Sequence, residues 1–197
     1  MSDVPLHLAV IVGSTREGRL GGVVADWFVD QARKREDFDV DVIDLVDTPL
    51  PVIQQKHPVT TGEYTTPEVR EFASRIGLAD AFVVVTPEYN HGYPASLKLA
   101  IDSVSPEWRA KPVGFVSYGG YAGGLRAVEQ LRLVFAELHA TTIRETVSFH
   151  MFFTKFDENG RPREADEVNG AAKVLLDQLG WWGEALRAAR AARPYAA

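Results

Sequence analysis

Short apolar runs alternate along the chain with longer segments in which apolar residues recur every three or four positions. Nearly continuous apolar runs are typical of strands buried on both faces of a parallel sheet, and the longer spacing is typical of helices that bury one face. The apolar runs predict five strands, at Leu6–Val12, 40–45, 81–85, 113–117 and within 141–153. The periodic segments predict a helix after each strand, beginning near residues 20, 67, 94, 125 and 164.

The predicted strands and helices alternate regularly, without a repeat or a low-complexity segment. This alternation predicts a parallel sheet covered by helices on both faces. We therefore expect one α/β domain over residues 1–197, a flavodoxin-like three-layer α/β/α sandwich with strand order 2-1-3-4-5. Its ligand is expected at the carboxyl edge of the sheet, at the switch between strands 1 and 3. The last predicted helix contains Gly180 and Gly183, which we expect to kink or weaken it.

Composition and charge exclude several classes of protein. The net charge is −6 with scattered basic residues, which predicts no nucleic-acid partner. There is no cysteine, so a thiol nucleophile, disulfides and thiolate metal sites are excluded. The five histidines show no zinc-ligand spacing, so we predict no metal site. No apolar stretch reaches the ~20 residues of a membrane span, and the N-terminus lacks the pattern of a signal peptide. We therefore expect a cytoplasmic protein without membrane contact.

The glycine-rich segment at residues 13–22 links the first strand to the first helix. Glycine lets the backbone approach a ligand, Ser14 offers a hydroxyl, and a helix N-terminus offers free N–H groups. Arg16 and Arg19 add guanidinium groups suited to phosphate, and Leu20 completes this predicted site. Because neither G-x-G-x-x-G nor the Walker lysine pattern is present, the phosphomonoester of FMN fits better than a pyrophosphate.

A second loop, Thr-Pro-Glu-Tyr-Asn-His-Gly at residues 86–92, follows the third strand. Its backbone N–H groups can face the edge of a flavin ring, which needs donors at N5 and O4 as it becomes electron-rich. Tyr89 can cover a ring face, and Asn90 can bond the pyrimidine edge or hold the loop in shape. For Glu88 and Tyr89 a structural role stays open, and His91 is as consistent with a surface histidine as with a proton donor.

A third loop follows the fourth strand and has four glycines among residues 119–124. Its position between two strongly patterned elements favours close backbone contact with a flat ligand over a flexible connector. Together, the three loops predict a bound mononucleotide.

The three segments resemble those of the NAD(P)H-dependent FMN reductase family, which includes quinone and azo-compound reductases on the flavodoxin-like fold. The resemblance covers roughly residues 6–180 and rests on G-S-T-R-E-G-R at 13–19, P-E-Y-N-H-G-Y-P at 87–94 with L-K-L-A-I-D at 97–102, and S-Y-G-G-Y-A-G-G at 117–124. It implies that Ser14, Arg16 and Arg19 hold the FMN phosphate. It also implies that the ring is lined on one side by Pro87, Glu88, Tyr89 and Asn90, and on the other by Ser117, Gly119, Gly120 and Gly124.

One position departs from the family pattern, because Arg19 stands where many members carry serine. A guanidinium can replace a hydroxyl at a phosphate, or it can point toward NADPH. The resemblance also implies a homodimer or homotetramer with the flavin near the subunit interface. Residues 46–66 and the helix that begins at Pro94 are the candidate contacts.

The function predicted from these features is ping-pong transfer of a hydride from NADPH or NADH, through bound FMN, to a small acceptor. The acceptor is free flavin, a quinone, an azo compound or a metal oxyanion. The flavin carries this chemistry, so no side chain is predicted to be catalytic. Two alternatives remain open at this point: a flavodoxin-type electron carrier, and a sensor that uses the flavin as a redox signal. Neither alternative turns over nicotinamide.

Overall fold

A computed structural model describes residues 4–196 and contains a five-stranded parallel sheet with strand order β2-β1-β3-β4-β5. The strands are β1 (Leu6–Val12), β2 (Phe38–Asp44), β3 (Ala81–Pro87), β4 (Pro112–Tyr118) and β5 (Thr141–Phe149). The helices are α1 (Gly21–Arg33), α2 (Pro67–Leu78), α3 (Ala95–Asp102), α4 (Leu125–Glu137) and α5 (Ala165–Ala192). The predicted fold class and strand order are confirmed.

Two apolar layers separate the sheet from its helices. One face of the sheet packs against α1 and α5, with Phe28 and Leu175 among the buried residues. The other face packs against α2, α3 and α4, with Phe72, Ile101 and Phe135 among the buried residues. The strands β3 and β4 are buried along their whole length, as their apolar runs predict.

The two glycines of α5 have a packing role. The helix is continuous from Ala165 to Ala192, and both glycines face the first two strands. A Cβ at Gly183 would lie 2.8 Å from Leu6 Cδ1, and one at Gly180 would lie 3.5 Å from the ring of Phe38. The missing side chains let α5 pack closely on the sheet, and the helix continues through both positions; the expected kink or weakening there stays a prediction.

The long segment between β2 and α2 contains a short 3-10 helix at Val59–Thr61 and otherwise no helix or strand. Two of its apolar side chains, Val52 and Ile53, are 83% and 89% exposed. No helix in the described part of the chain is long and apolar enough to cross a membrane. A cytoplasmic location stays a prediction.

Candidate functional site

The three predicted loops lie side by side, because they follow β1, β3 and β4, which are neighbours at the centre of the sheet. A hydrogen bond of 2.7 Å joins the hydroxyl oxygens of Ser14 and Tyr89, so the first loop contacts the second. The N–H of Glu88 donates to the carbonyl of Tyr118 at 3.2 Å, so the second loop contacts the third. The predicted site residues therefore form one continuous edge at the switch between β1 and β3.

The first loop is held in shape by Ser14, which is fully buried. Its hydroxyl accepts a 3.4 Å hydrogen bond from the N–H of Arg16, and its carbonyl accepts one of 2.5 Å from Arg19 Nη1. Leu20 lies just before α1, in the N-cap position, and is 44% exposed. The loop thus leads directly to the N-terminus of α1, where the first-turn N–H groups and the positive end of the helix dipole favour an anion.

The two arginines of the first loop have different surroundings. Arg19 forms a two-pronged ion pair with Asp44 at the end of β2, with 2.8 Å between Nη1 and Oδ1. The hydrogen bonds that Arg19 donates to the Asp44 carboxylate raise the pKa of the Arg19 guanidinium above its ordinary value. Within residues 4–196, the Arg16 guanidinium is exposed and has no partner. Arg16 is therefore the cation of this loop that is available to a ligand, whereas the Arg19 guanidinium is paired with Asp44 and the Ser14 carbonyl.

The second loop is a tight hairpin. Tyr89 and Gly92 exchange backbone hydrogen bonds of 2.8 and 3.0 Å across two residues, Asn90 and His91, with φ values of +50° and +69°. Two central residues with positive φ are the mark of a type I′ turn. Among the residues that the structure describes, the N–H groups of Asn90 and His91 have no hydrogen-bond partner. The prediction of free amides in this loop thus applies to these two positions, since Glu88 and Tyr89 use theirs within the fold.

The third loop turns sharply into α4. Gly124 occupies the N-cap position with φ +89°, and a Cβ there would lie 2.6 Å from that of Ser117. The buried hydroxyl of Ser117 donates to the carbonyl of Gly123 at 2.9 Å. Gly119 is buried and Gly120 is exposed. Ser117, Gly119 and Gly124 therefore shape the loop, and Gly120 is the position whose backbone a ligand can approach.

The segment after β5 supports the third loop from the other side. The N–H groups of Met151 and Phe152 donate to the carbonyls of Gly120 and Gly119 at 2.9 and 3.1 Å. The rings of Phe152 and Tyr118 are 5.1 Å apart. Burial, together with the nearby Tyr89 hydroxyl, raises the pKa of Tyr118 above its ordinary value, so its hydroxyl stays neutral.

Sequence reasoning missed two side chains that hold the edge together. Asp44 lies 25 residues from its partner Arg19, and Arg126 of α4 lies 38 residues from its partner Glu88. Asp44 ends β2, the strand beside β1, and Arg126 lies at the start of α4, the helix that follows β4 beside β3. The predicted strand order was therefore the available signal for both contacts.

The chain matches the NADPH-dependent FMN reductase family over residues 6–154. It is 41% identical over 119 residues to an NAD(P)H-dependent FMN reductase of Schizosaccharomyces pombe, covering 59% of this chain and 60% of that protein. It is 33% identical over 169 residues to a probable NADPH:quinone oxidoreductase of Oryza sativa, covering 81% of this chain and 80% of that protein. The fold is similar to that of a flavoenzyme NAD(P)H:acceptor oxidoreductase of Paracoccus denitrificans, with TM-score 0.71, 20% identity, and coverage of 91% and 97%.

These matches place the protein in a class of flavin-dependent oxidoreductases. The chain belongs to the NADPH-dependent FMN reductase family, whose cofactors are FMN and NAD(P)H. The resemblance seen in the sequence, the enzyme class and the cofactors are thereby confirmed.

The residues of this edge fit the family cofactor. The Arg16 guanidinium, which has no partner within residues 4–196, lies in the loop that leads to the N-terminus of α1, as a phosphate requires. The amides of Asn90 and His91, which have no partner among the same residues, belong to the loop on the neighbouring strand. A cation in one loop and two N–H donors in the next suit a ligand with a phosphate at one end and a ring with acceptor atoms at the other.

Proposed function

We propose that this protein is an NAD(P)H-dependent FMN reductase that transfers electrons to a small planar acceptor by a ping-pong scheme. The acceptor is free flavin, a quinone or an azo compound. One observation carries the proposal: Arg16 and the amides of Asn90 and His91, all without a partner in the described part of the chain, lie in neighbouring loops joined by the hydrogen bond between Ser14 and Tyr89.

The first loop holds the phosphate in this proposal. Arg16 contributes a charge-assisted hydrogen bond, and the first turn of α1 contributes backbone N–H groups. Ser14 shapes the loop through its buried hydroxyl, and Leu20 brings the chain into α1. Arg19 stays a predicted cofactor residue, and its pairing with Asp44 supports a bracing role in which it keeps the Ser14 carbonyl in place.

The second and third loops position the ring. Pro87 ends β3 and starts the hairpin, and Tyr89 presents a partly exposed ring beside the first loop. The amides of Asn90 and His91 serve as donors to the acceptor atoms of the ring. In the third loop, Ser117, Gly119 and Gly124 hold the backbone in shape, and the exposed Gly120 is the position that would approach the ring.

Bound FMN supplies the redox chemistry, taking up a hydride from the nicotinamide and delivering electrons to the acceptor. The chain supplies binding, orientation and hydrogen bonds, so no side chain need form a covalent bond. The three loops form one edge of the sheet, where both planar molecules, the nicotinamide and the acceptor, would have to bind. We therefore propose that they occupy this site in turn.

The test is a spectroscopic and kinetic measurement on the purified protein. We expect one FMN per chain, loss of the visible flavin absorbance on anaerobic addition of NADPH or NADH, and parallel double-reciprocal plots at several quinone concentrations. Intersecting lines would refute the ping-pong scheme alone. A bound flavin that neither nicotinamide reduces would replace the reductase proposal with an electron carrier.

We also propose that the active unit is a homodimer or homotetramer in the cytoplasm. The exposed apolar residues Val52 and Ile53 in the segment between β2 and α2 support an interface there.

A further inference from the structure

The hairpin of residues 88–92 is tied to the first turns of α4 by a group of polar side chains. The Glu88 carboxylate accepts a 3.2 Å hydrogen bond from the backbone N–H of Arg126 and one of 2.6 Å from its Nε, and Arg126 Nη2 closes an ion pair on the same carboxylate. Only 7% of the Glu88 side chain is exposed, so its charge is compensated by Arg126 and by the N-terminus of α4.

Arg126 also reaches the turn of the hairpin. Its Nη1 lies 2.7 Å from His91 Nε2, and since a guanidinium only donates, the ring nitrogen is the acceptor of this hydrogen bond. One helical turn further on, Gln130 Nε2 donates to the His91 carbonyl at 2.8 Å. Side chains on one face of α4 thus form hydrogen bonds with both the beginning and the tip of the hairpin.

The turn held in this way has an unfavourable backbone conformation. Asn90 and His91 both have positive φ, a region that side chains other than glycine rarely adopt. Residues in such conformations persist where the surrounding structure over-determines them, and they concentrate at functional sites. Here the surrounding contacts of His91 come from Arg126 and Gln130, and the conformation leaves the two amides of the turn without a partner among residues 4–196.

We propose that Arg126 is a positioning residue, which holds the 88–92 hairpin in the conformation that presents the Asn90 and His91 amides to the flavin ring. The proposal rests on the proposed function for its ligand, but the hairpin it describes exists without the ligand. Arg126 acts through Glu88 and His91, whereas Arg16 acts on the phosphate.

The first experiment measures the hairpin itself, by amide hydrogen exchange of the full chain before flavin is added. Arg126→Ala should speed exchange of the 88–92 segment by about tenfold or more, since two ties to the hairpin are lost. Arg75→Ala is the matched control, because Arg75 makes a similar two-pronged contact with Asp41 on β2. Equal exchange in the Arg126→Ala variant and wild type would overturn the proposal.

The second experiment compares FMN with riboflavin, which lacks the phosphate. Arg126→Ala should weaken both ligands by the same factor, about tenfold, and shift the visible flavin spectrum, because the contacts to the ring are disturbed. Weakening of FMN alone would show a phosphate contact and overturn the positioning role. Unchanged affinities and spectrum would overturn it as well.

A conservative variant tests whether the guanidinium of Arg126 is needed to bond Glu88 and His91 at the same time. Arg126→Lys keeps the charge beside Glu88, but a single ammonium cannot bond Glu88 and His91 together as the guanidinium does. We expect partial recovery of affinity for both ligands, and full recovery would contradict the bridging argument. If wild-type protein binds neither flavin, the proposed function fails, while the exchange measurement still decides the role of Arg126 in the hairpin.

Discussion

At the scale of single residues, the first loop shows how two arginines three positions apart can serve different ends. Arg19 is committed to Asp44 and to the Ser14 carbonyl, which ties the loop to the end of β2. Arg16 has no such tie within the described residues and is exposed. A salt bridge already formed must be broken before its arginine can bind phosphate, so we expect Arg16 to be the better phosphate ligand.

This division predicts different effects for the two alanine variants. Arg16→Ala should remove one charge-assisted contact and weaken FMN by about 1.5–3 kcal/mol, while leaving riboflavin nearly unchanged. Arg19→Ala should weaken the binding of FMN and riboflavin by the same factor, since it loosens the loop. Asp44→Asn should have the same effect, because it removes the partner of Arg19. Fluorescence titration with both ligands measures these effects. A selective loss of FMN affinity in Arg19→Ala would make Arg19 a direct phosphate ligand.

At the scale of elements, a buried lysine joins the end of α2 to the start of β4. Lys111 Nζ donates to the carbonyls of Ile76 and Gly77 at 2.8 Å each, which satisfies the C-terminal turn of α2. The same ammonium lies 5.6 Å from the centre of the Phe82 ring. Burial, with a smaller contribution from Arg190, lowers the pKa of Lys111 to about 8.

The lowered pKa predicts a pH-dependent stability. Between pH 8 and the ordinary lysine pKa of 10.5, the folded chain has released this proton and the unfolded chain has kept it. The unfolding free energy contributed by Lys111 therefore rises with pH, by about 2 kcal/mol from pH 7.5 to 9.5. Lys111→Met lacks this contribution. The unfolding free energy of wild type minus that of the variant should therefore rise by that amount when the pH is raised from 7.5 to 9.5. Urea unfolding of both proteins at the two pH values measures it, and equal pH slopes would contradict the lowered pKa.

The limits of the strands show which parts of the fold the sequence can predict. Strands β1, β3 and β4 read as apolar runs because both faces are buried, and their limits were predicted to within two residues. The limits of β5 were not, because this edge strand is only partly buried and its apolar pattern is weak. An edge strand faces solvent or loops on one side, so its apolar residues form neither a continuous run nor a strict alternation.

The parts of the candidate site that a single short sequence motif forms could be predicted from the sequence. The left-handed turn at Asn90 and His91 lies inside such a motif, and so do the glycines of the third loop. The ties of Arg126 to Glu88 and of Arg19 to Asp44 depend on how strands are ordered in space. Local patterns do not specify which distant charges meet, so these contacts required the structure.

At the scale of the whole molecule, one group of exposed apolar side chains in the described residues lies in segments that follow the carboxyl ends of the strands. It comprises Leu20, Val46, Val52, Ile53, Tyr89, Tyr121, Leu125 and Phe153, while others, among them Leu133 and Trp181, lie on the helices. Exposed apolar surface that is concentrated on one side of a molecule marks an interaction site. Tyr89 and Tyr121 belong to the loops of the candidate site, and we predict that a partner covers Val52 and Ile53.

A second copy of the chain is the partner we predict, because closed homo-oligomers are the commonest assemblies of soluble proteins. Light scattering of the FMN-bound protein should give at least twice the chain mass of 21.8 kDa. Ile53→Lys places a charge in the predicted interface and should lower the mass toward that of one chain. Val174→Lys, at a 51% exposed position on α5, is the matched control and should leave the mass unchanged. A wild-type monomer with full activity would refute the oligomer, and equal masses for the two variants would place the interface away from Ile53.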